Sequence, residues 1–81
     1  MNLVKIEVLG TQCAKCKTLA KNVDKALAEM EISAVVVKVE SIKEIIDRGV
    51  MMVPALYVDG EAKVVGRAPS VEEIKRLIKG R

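Results

Sequence analysis

The chain is predicted to be an α/β domain of order β-α-β-α-β-β-α, a four-stranded mixed sheet flanked by three helices. Three observations lead there. Residues 2–9 alternate with a period of two, residues 13–30 carry apolar side chains at steps of three and four, and Asp59-Gly60 sits between two short strand-like runs. With 81 residues the parts must share one core, so residues 1–81 are expected to form a single domain.

Along the first strand Val4, Ile6 and Val8 fall on one face, and Gly10 ends it. The helix that follows carries Cys16, Leu19, Ala20, Val23, Leu27 and Met30 as an amphipathic stripe, which puts Cys13 and Cys16 in its first turn. Ile32 to Val39 is β-branched and nearly unbroken, as expected of a central strand covered on both faces. Ser41 caps a short helix with Glu44 in the capping-box position. Ile42, Ile45 and Ile46 form its apolar side, and Gly49 stops it. Ala55-Leu56-Tyr57-Val58, after Pro54, pairs through the Asp59-Gly60 turn with a strand through Val64 and Val65. Ser70 and Glu73 then form a second capping box, with Val71, Ile74, Leu77 and Ile78 facing the core.

Composition removes several function classes. Apolar residues make up 51% of the chain and charged residues 31%, a balance that folds. Tyr57 is the only aromatic, so there is no base-stacking platform, and the net charge of +3 is dispersed. No nucleic-acid partner is expected. No run approaches the ~20 apolar residues of a membrane span, and the opening stretch contains Lys5 and Glu7. These features suggest a cytoplasmic protein, without membrane association and monomeric. There is no His, which excludes Cys-His catalysis and mixed Cys/His zinc sites.

Two cysteines spaced Cys-x-x-Cys in such a chain argue for chemistry rather than a disulfide scaffold. Cys13 falls at or near the helix N-cap, where unpaired N–H groups and the helix dipole stabilise a thiolate. Its pKa is therefore expected below the free value of ~8.5. Lys15 and Lys17 act in the same direction. Cys16, one turn on and in the apolar stripe, turns inward, so Cys13 is the expected nucleophile and Cys16 the resolving thiol. No bound cofactor is needed, because the reversible Cys13-Cys16 disulfide carries the electrons.

Three sequence elements, Cys13-Ala14-Lys15-Cys16 after the first strand, Val53-Pro54-Ala55-Leu56 opening the third, and Val65-Gly66 ending the fourth, carry a resemblance. They resemble the thioredoxin and glutaredoxin superfamily, and more closely the very small thioredoxin-like redox-active disulfide proteins of archaea and bacteria. That resemblance implies a thioredoxin-like fold and a protein disulfide oxidoreductase acting on protein disulfides or dithiols with a separate reductant. It also implies a cis Pro54 facing the dithiol, with Val53 offering its backbone to substrate. Gln12 stands where thioredoxins carry Trp, and Ala14-Lys15 where they carry Gly-Pro. Glu7, six residues before Cys13, takes the place of a buried acid that helps move protons, with Lys38 as its lysine partner. Gln12, Lys15 and Glu7 are the supporting site residues. The features by which glutaredoxins hold glutathione have no counterpart that can be placed here.

Two other functions share the Cys-x-x-Cys. Soft-metal carriers of the heavy-metal-associated kind also place it between a first strand and helix, and would bind Cu(I) or Zn through the thiolates. They have two strands after the first helix, whereas residues 41–48 read as a helix and Val53-Pro54 has no role in them. A redox-switched interaction domain is the other alternative.

Overall fold

The computed structural model describes residues 4–10 and 13–80. The elements are β1 (Val4–Leu9), α1 (Ala14–Met30), β2 (Ala34–Val39), α2 (Ile42–Asp47), β3 (Ala55–Val58), β4 (Glu61–Val65) and α3 (Val71–Lys79). Each begins or ends where the local chemistry requires. The Ser41 and Ser70 hydroxyls accept from the N–H groups of Glu44 (3.4 Å) and Glu73 (3.2 Å), satisfying donors that the first turns of α2 and α3 leave unpaired. Asp59 and Gly60 both have positive φ, as a two-residue hairpin between right-twisted strands needs. The turn is clasped to β1: Asp59 donates its N–H to the Lys5 carbonyl and accepts from the Lys5 N–H through its carboxylate.

The strands lie in the order β2-β1-β3-β4, with β1 parallel to β2 and antiparallel to β3, and β3 antiparallel to β4. The mixed sheet and the order β-α-β-α-β-β-α agree with the sequence reading. The expected place of β2 does not. It is an edge strand rather than a central one, and Val35 and Val37 remain 47% and 37% exposed on a face that the six residues of α2 cover only partly. The centre is β1.

Strand alternation sorts the core into two layers. Val4, Ile6 and Val8 of β1 join Leu56 and Val58 of β3 and Val64 of β4 against Leu19, Val23 and Ala26 of α1 and Ile74 and Ile78 of α3. On the opposite face Leu9, Val39 and Ala55 pack with Ile45 of α2 and Val50, and Tyr57 lies beside them. The helix pair α1 and α3 thus covers one face and α2 the other. Among the described residues no helix is long and apolar enough to cross a membrane.

Candidate active site

The end of β1 and the start of α1 bring the two cysteines together. Cys13 is the N-cap of α1, in extended conformation, and its sulfur accepts the Cys16 N–H at 3.1 Å. The Cys13 carbonyl accepts from the Lys17 N–H at 3.0 Å, so both polar ends of the residue serve the first turn. A sulfur held there faces the positive end of a seventeen-residue helix, the setting that favours a thiolate over a thiol. Cys13 and Cys16 form a disulfide, with their Cα atoms 5.1 Å apart. The two are unequal in exposure: Cys13 is half-buried and Cys16 is 5% exposed. Lys15 and Lys17 are exposed on the same turn, while Gln12 lies outside the described residues.

Opposite the dithiol stands the Val53-Pro54 peptide, which is cis. Pro54 is buried, and its carbonyl accepts the Gly66 N–H at 2.8 Å, tying it to the end of β4. The three preceding residues form a rim: Met51 is 95% exposed, Met52 62% and Val53 36%. Both methionines therefore lie outside the core, and Met52 packs over Gly66, where a Cβ would lie 3.1 Å from its Cε. Among the described residues the turn and loop bonds around this segment use Val50 and Pro54 but not Val53.

Gly10 joins these two parts. A Cβ there would lie 2.6 Å from Cys16 Sγ and 3.7 Å from Pro54 Cα, so the residue's bareness lets the sulfur, the strand end and the proline meet. In sequence Gly10 reads only as the stop of a strand. Its nearness to Cys16 follows from the return of α1 over the sheet, which no local pattern encodes.

Glu7 is buried at 4% exposure, but its partner is not Lys38. Its carboxylate pairs with the Arg48 guanidinium at 2.5 Å, and Arg48 in turn stands 6.0 Å above the centre of the Tyr57 ring. The reason is strand parity. In the parallel ladder Lys38 is level with Val8, whose side chain faces α1, whereas Glu7 belongs with Leu9 on the face covered by α2. Lys38 instead lines a cavity of about 290 Å³ with Val8, Gly10, Cys16, Lys17 and Glu40. The structure thus gathers Cys13, Cys16, Gly10 and Pro54 at one place and puts Glu7 in the other layer. Arg48 escaped the sequence reading; the signal for it is that an acid on the α2 face of a central strand needs a cation from α2 or its end.

This arrangement is not that of a two-thiolate metal carrier, since α2 stands between β2 and β3 where such a domain has consecutive strands. Among the described residues no group of three or more Cys, Asp or Glu side chains is placed to hold a metal ion.

Comparison with known proteins agrees with the geometry. Residues 4–79 match the family described as thioredoxin domain. The chain is 41% identical over 76 residues to a thioredoxin of Methanothermobacter thermautotrophicus, covering 94% of this chain and 99% of that one. It is 40% identical over 77 residues to a thioredoxin of Methanocaldococcus jannaschii, covering 95% and 88%. Among solved structures it superposes on thioredoxin-2 of the malaria parasite with a TM-score of 0.76 at 17% identity, over 99% of this chain and 84% of that one. A second malarial protein gives 0.76 at 16% identity, over 98% and 97%. At those identities the superpositions speak for the fold alone. With nearly its whole length matched by the family and by two thioredoxins, the chain belongs to the thioredoxin family.

Proposed function

We propose that the protein is a thiol-disulfide oxidoreductase acting on protein substrates, with Cys13 as nucleophile and Cys16 as resolving thiol. The observation that carries this reading is the asymmetry of the pair, one sulfur capping a helix start and half open to solvent, the other buried beneath it. In the reduced protein the Cys13 thiolate attacks one sulfur of a substrate disulfide. A Cys13–substrate bond forms and the other substrate sulfur leaves as a thiolate. Cys16 then gives up its proton and attacks Cys13 Sγ, which releases the second substrate sulfur and leaves the Cys13–Cys16 disulfide. Two electrons pass to the substrate, and an external dithiol or reductase restores them.

Val53 and Pro54 form the docking edge. Support comes from the exposure of Val53, from loop hydrogen bonds among the described residues that leave its backbone unused, and from Pro54 lying against Gly10 beside Cys16. An extended substrate strand can bond to such a backbone as it would to a sheet edge. Lys15 adds positive charge beside Cys13. A single domain over 1–81, working as a monomer in the cytoplasm where thiols are kept reduced, suits a chain whose two cysteines form one dithiol.

The test is trapping. Reduced Cys13→Ser and Cys16→Ser proteins are exposed to a protein disulfide and resolved by mass. Cys16→Ser is expected to accumulate a mixed disulfide on Cys13, and Cys13→Ser to give none. Accumulation with Cys13→Ser instead would reverse the assignment.

A further inference from the structure

The segment that carries the docking edge has few fixings of its own. After α2 ends at Asp47, Gly49 turns the chain with φ of 80°, and Val50 is anchored by burial (5% exposed) and by its N–H bond to the Ile45 carbonyl. Residues 51–53 then run exposed until Pro54. Apart from the contact of Met52 with Gly66, what sets their position is therefore what holds the two ends.

Both ends are referred to the same strand. Downstream, Pro54 lies against Gly10, and Ala55 is level with Leu9 of β1. Upstream, Arg48 reaches Glu7, three residues before Gly10 on that strand, and stands over Tyr57 of β3. The strand that delivers the dithiol thus also registers the segment facing it, through one buried carboxylate. Removing the guanidinium would leave that carboxylate in the core without its cation, so the arrangement is strongly favoured over a detached one.

We infer that Arg48 and Glu7 are positioning residues for protein substrates: their ion pair holds residues 49–53 at the distance from Cys13 that a docked substrate strand requires. This rests on the proposed docking edge at Val53-Pro54. A small disulfide needs only the dithiol and does not use the edge, so the pair sets the difference between the two substrate classes. Displacement of a positioning element by about 1 Å is enough to lower the rate of a positioned reaction many-fold.

The experiment uses the full chain and two probes, insulin as the protein disulfide and bis(2-hydroxyethyl) disulfide as the small one. The variant E7L/R48M replaces the pair with apolar side chains and leaves no buried charge unpaired. It is expected to raise KM for insulin roughly ten-fold while kcat/KM for the small disulfide stays within about two-fold of wild type. R48K, which keeps a cation against Glu7, is expected to return the insulin KM to within about three-fold of wild type. Should E7L/R48M not fold, E7Q, which keeps the side-chain shape and removes only the charge, is read in the same way. A parallel loss with both probes, an unchanged insulin KM, or no rescue by R48K overturns the inference. Wild-type protein inactive on both probes overturns the oxidoreductase reading instead, so the two failures are distinguishable.

Discussion

Replacing Gly10 by alanine tests the site at its most crowded point. The new Cβ would sit 2.6 Å from Cys16 Sγ and 3.2 Å from Cys16 Cβ, whereas ordinary contact begins near 3.4 Å, so something must give by about 0.8 Å. Gly10 does not lie in the left-handed region, so alanine adopts its backbone freely and the effect is steric. The sulfur cannot swing away cheaply, because Cys16 is buried beneath the first turn of α1 and its N–H is bonded to Cys13 Sγ. Overpacking of this size costs about 1–3 kcal/mol of stability. The larger effect is expected on exchange, since shifting the helix start by close to an ångström misplaces Cys16 relative to Cys13. A fall in the resolving rate of roughly 10²-fold follows from such a misplacement. Urea unfolding reads the first quantity, and release of product from a preformed Cys13 mixed disulfide reads the second. Gly49→Ala is the contrast: nothing lies within 4 Å of its added Cβ, and its φ of +80° makes the change one of backbone strain alone. If Gly10→Ala exchanges at the wild-type rate, the close approach of strand end and sulfur is not what aligns the pair.

Three further outcomes follow from the same structure. Leu19→Ala empties a site that is 0% exposed between α1 and the sheet, and is expected to cost about 2–5 kcal/mol in urea unfolding. Ser70→Ala removes the hydroxyl that accepts the Glu73 N–H, and a loss of about 1 kcal/mol by the same method checks the cap. The third concerns acid. Hydrogen bonds from Lys75 and Arg67 hold the Glu29 and Glu73 carboxyls below their ordinary 4.5, so their contribution is complete above that value and disappears as the pH falls through the lowered one. Wild type is therefore expected to lose more of its urea midpoint between pH 6 and pH 3 than E29Q/E73Q, and equal losses would refute the assignment.

The order of elements was readable from periodicity because the helices and strands have a covered face, and because Ser41, Ser70 and Asp59-Gly60 suit the caps and the turn they occupy. The position of β2 was not. A run such as Ala-Val-Val-Val-Lys-Val reads the same whether a second layer covers it fully or a helix of six residues leaves half of it bare. Cys13 and Cys16 were legible because their asymmetry is local, arising from a helix start and its apolar stripe. Pro54 was legible through family resemblance, since a sequence does not report which peptide isomer the fold selects. Glu7 shows where counting along the chain fails. Six residues before Cys13 is a statement about distance, whereas the partner of a strand residue is decided by parity, which sends Glu7 towards Arg48 and Val8 towards the α1 layer. Gly10 meets Pro54 and Arg48 meets Glu7 across segments far apart in sequence, and nothing near them in the chain announces it.

The edge position of β2 has a consequence for how the protein behaves in concentrated solution. An outer strand of five β-branched or small residues and one cation presents a row of backbone donors and acceptors that no other strand pairs among the described residues, the template on which chains stack edge to edge. Lys38 is the charge that interrupts it, exposed near the end of the strand. The residue thus acts as a gatekeeper, making a second copy bury an ammonium if it is to pair along this edge. Lys38→Val is expected to leave the fold intact yet turn the solution turbid on heating well before wild type, a difference that light scattering at matched concentration would register.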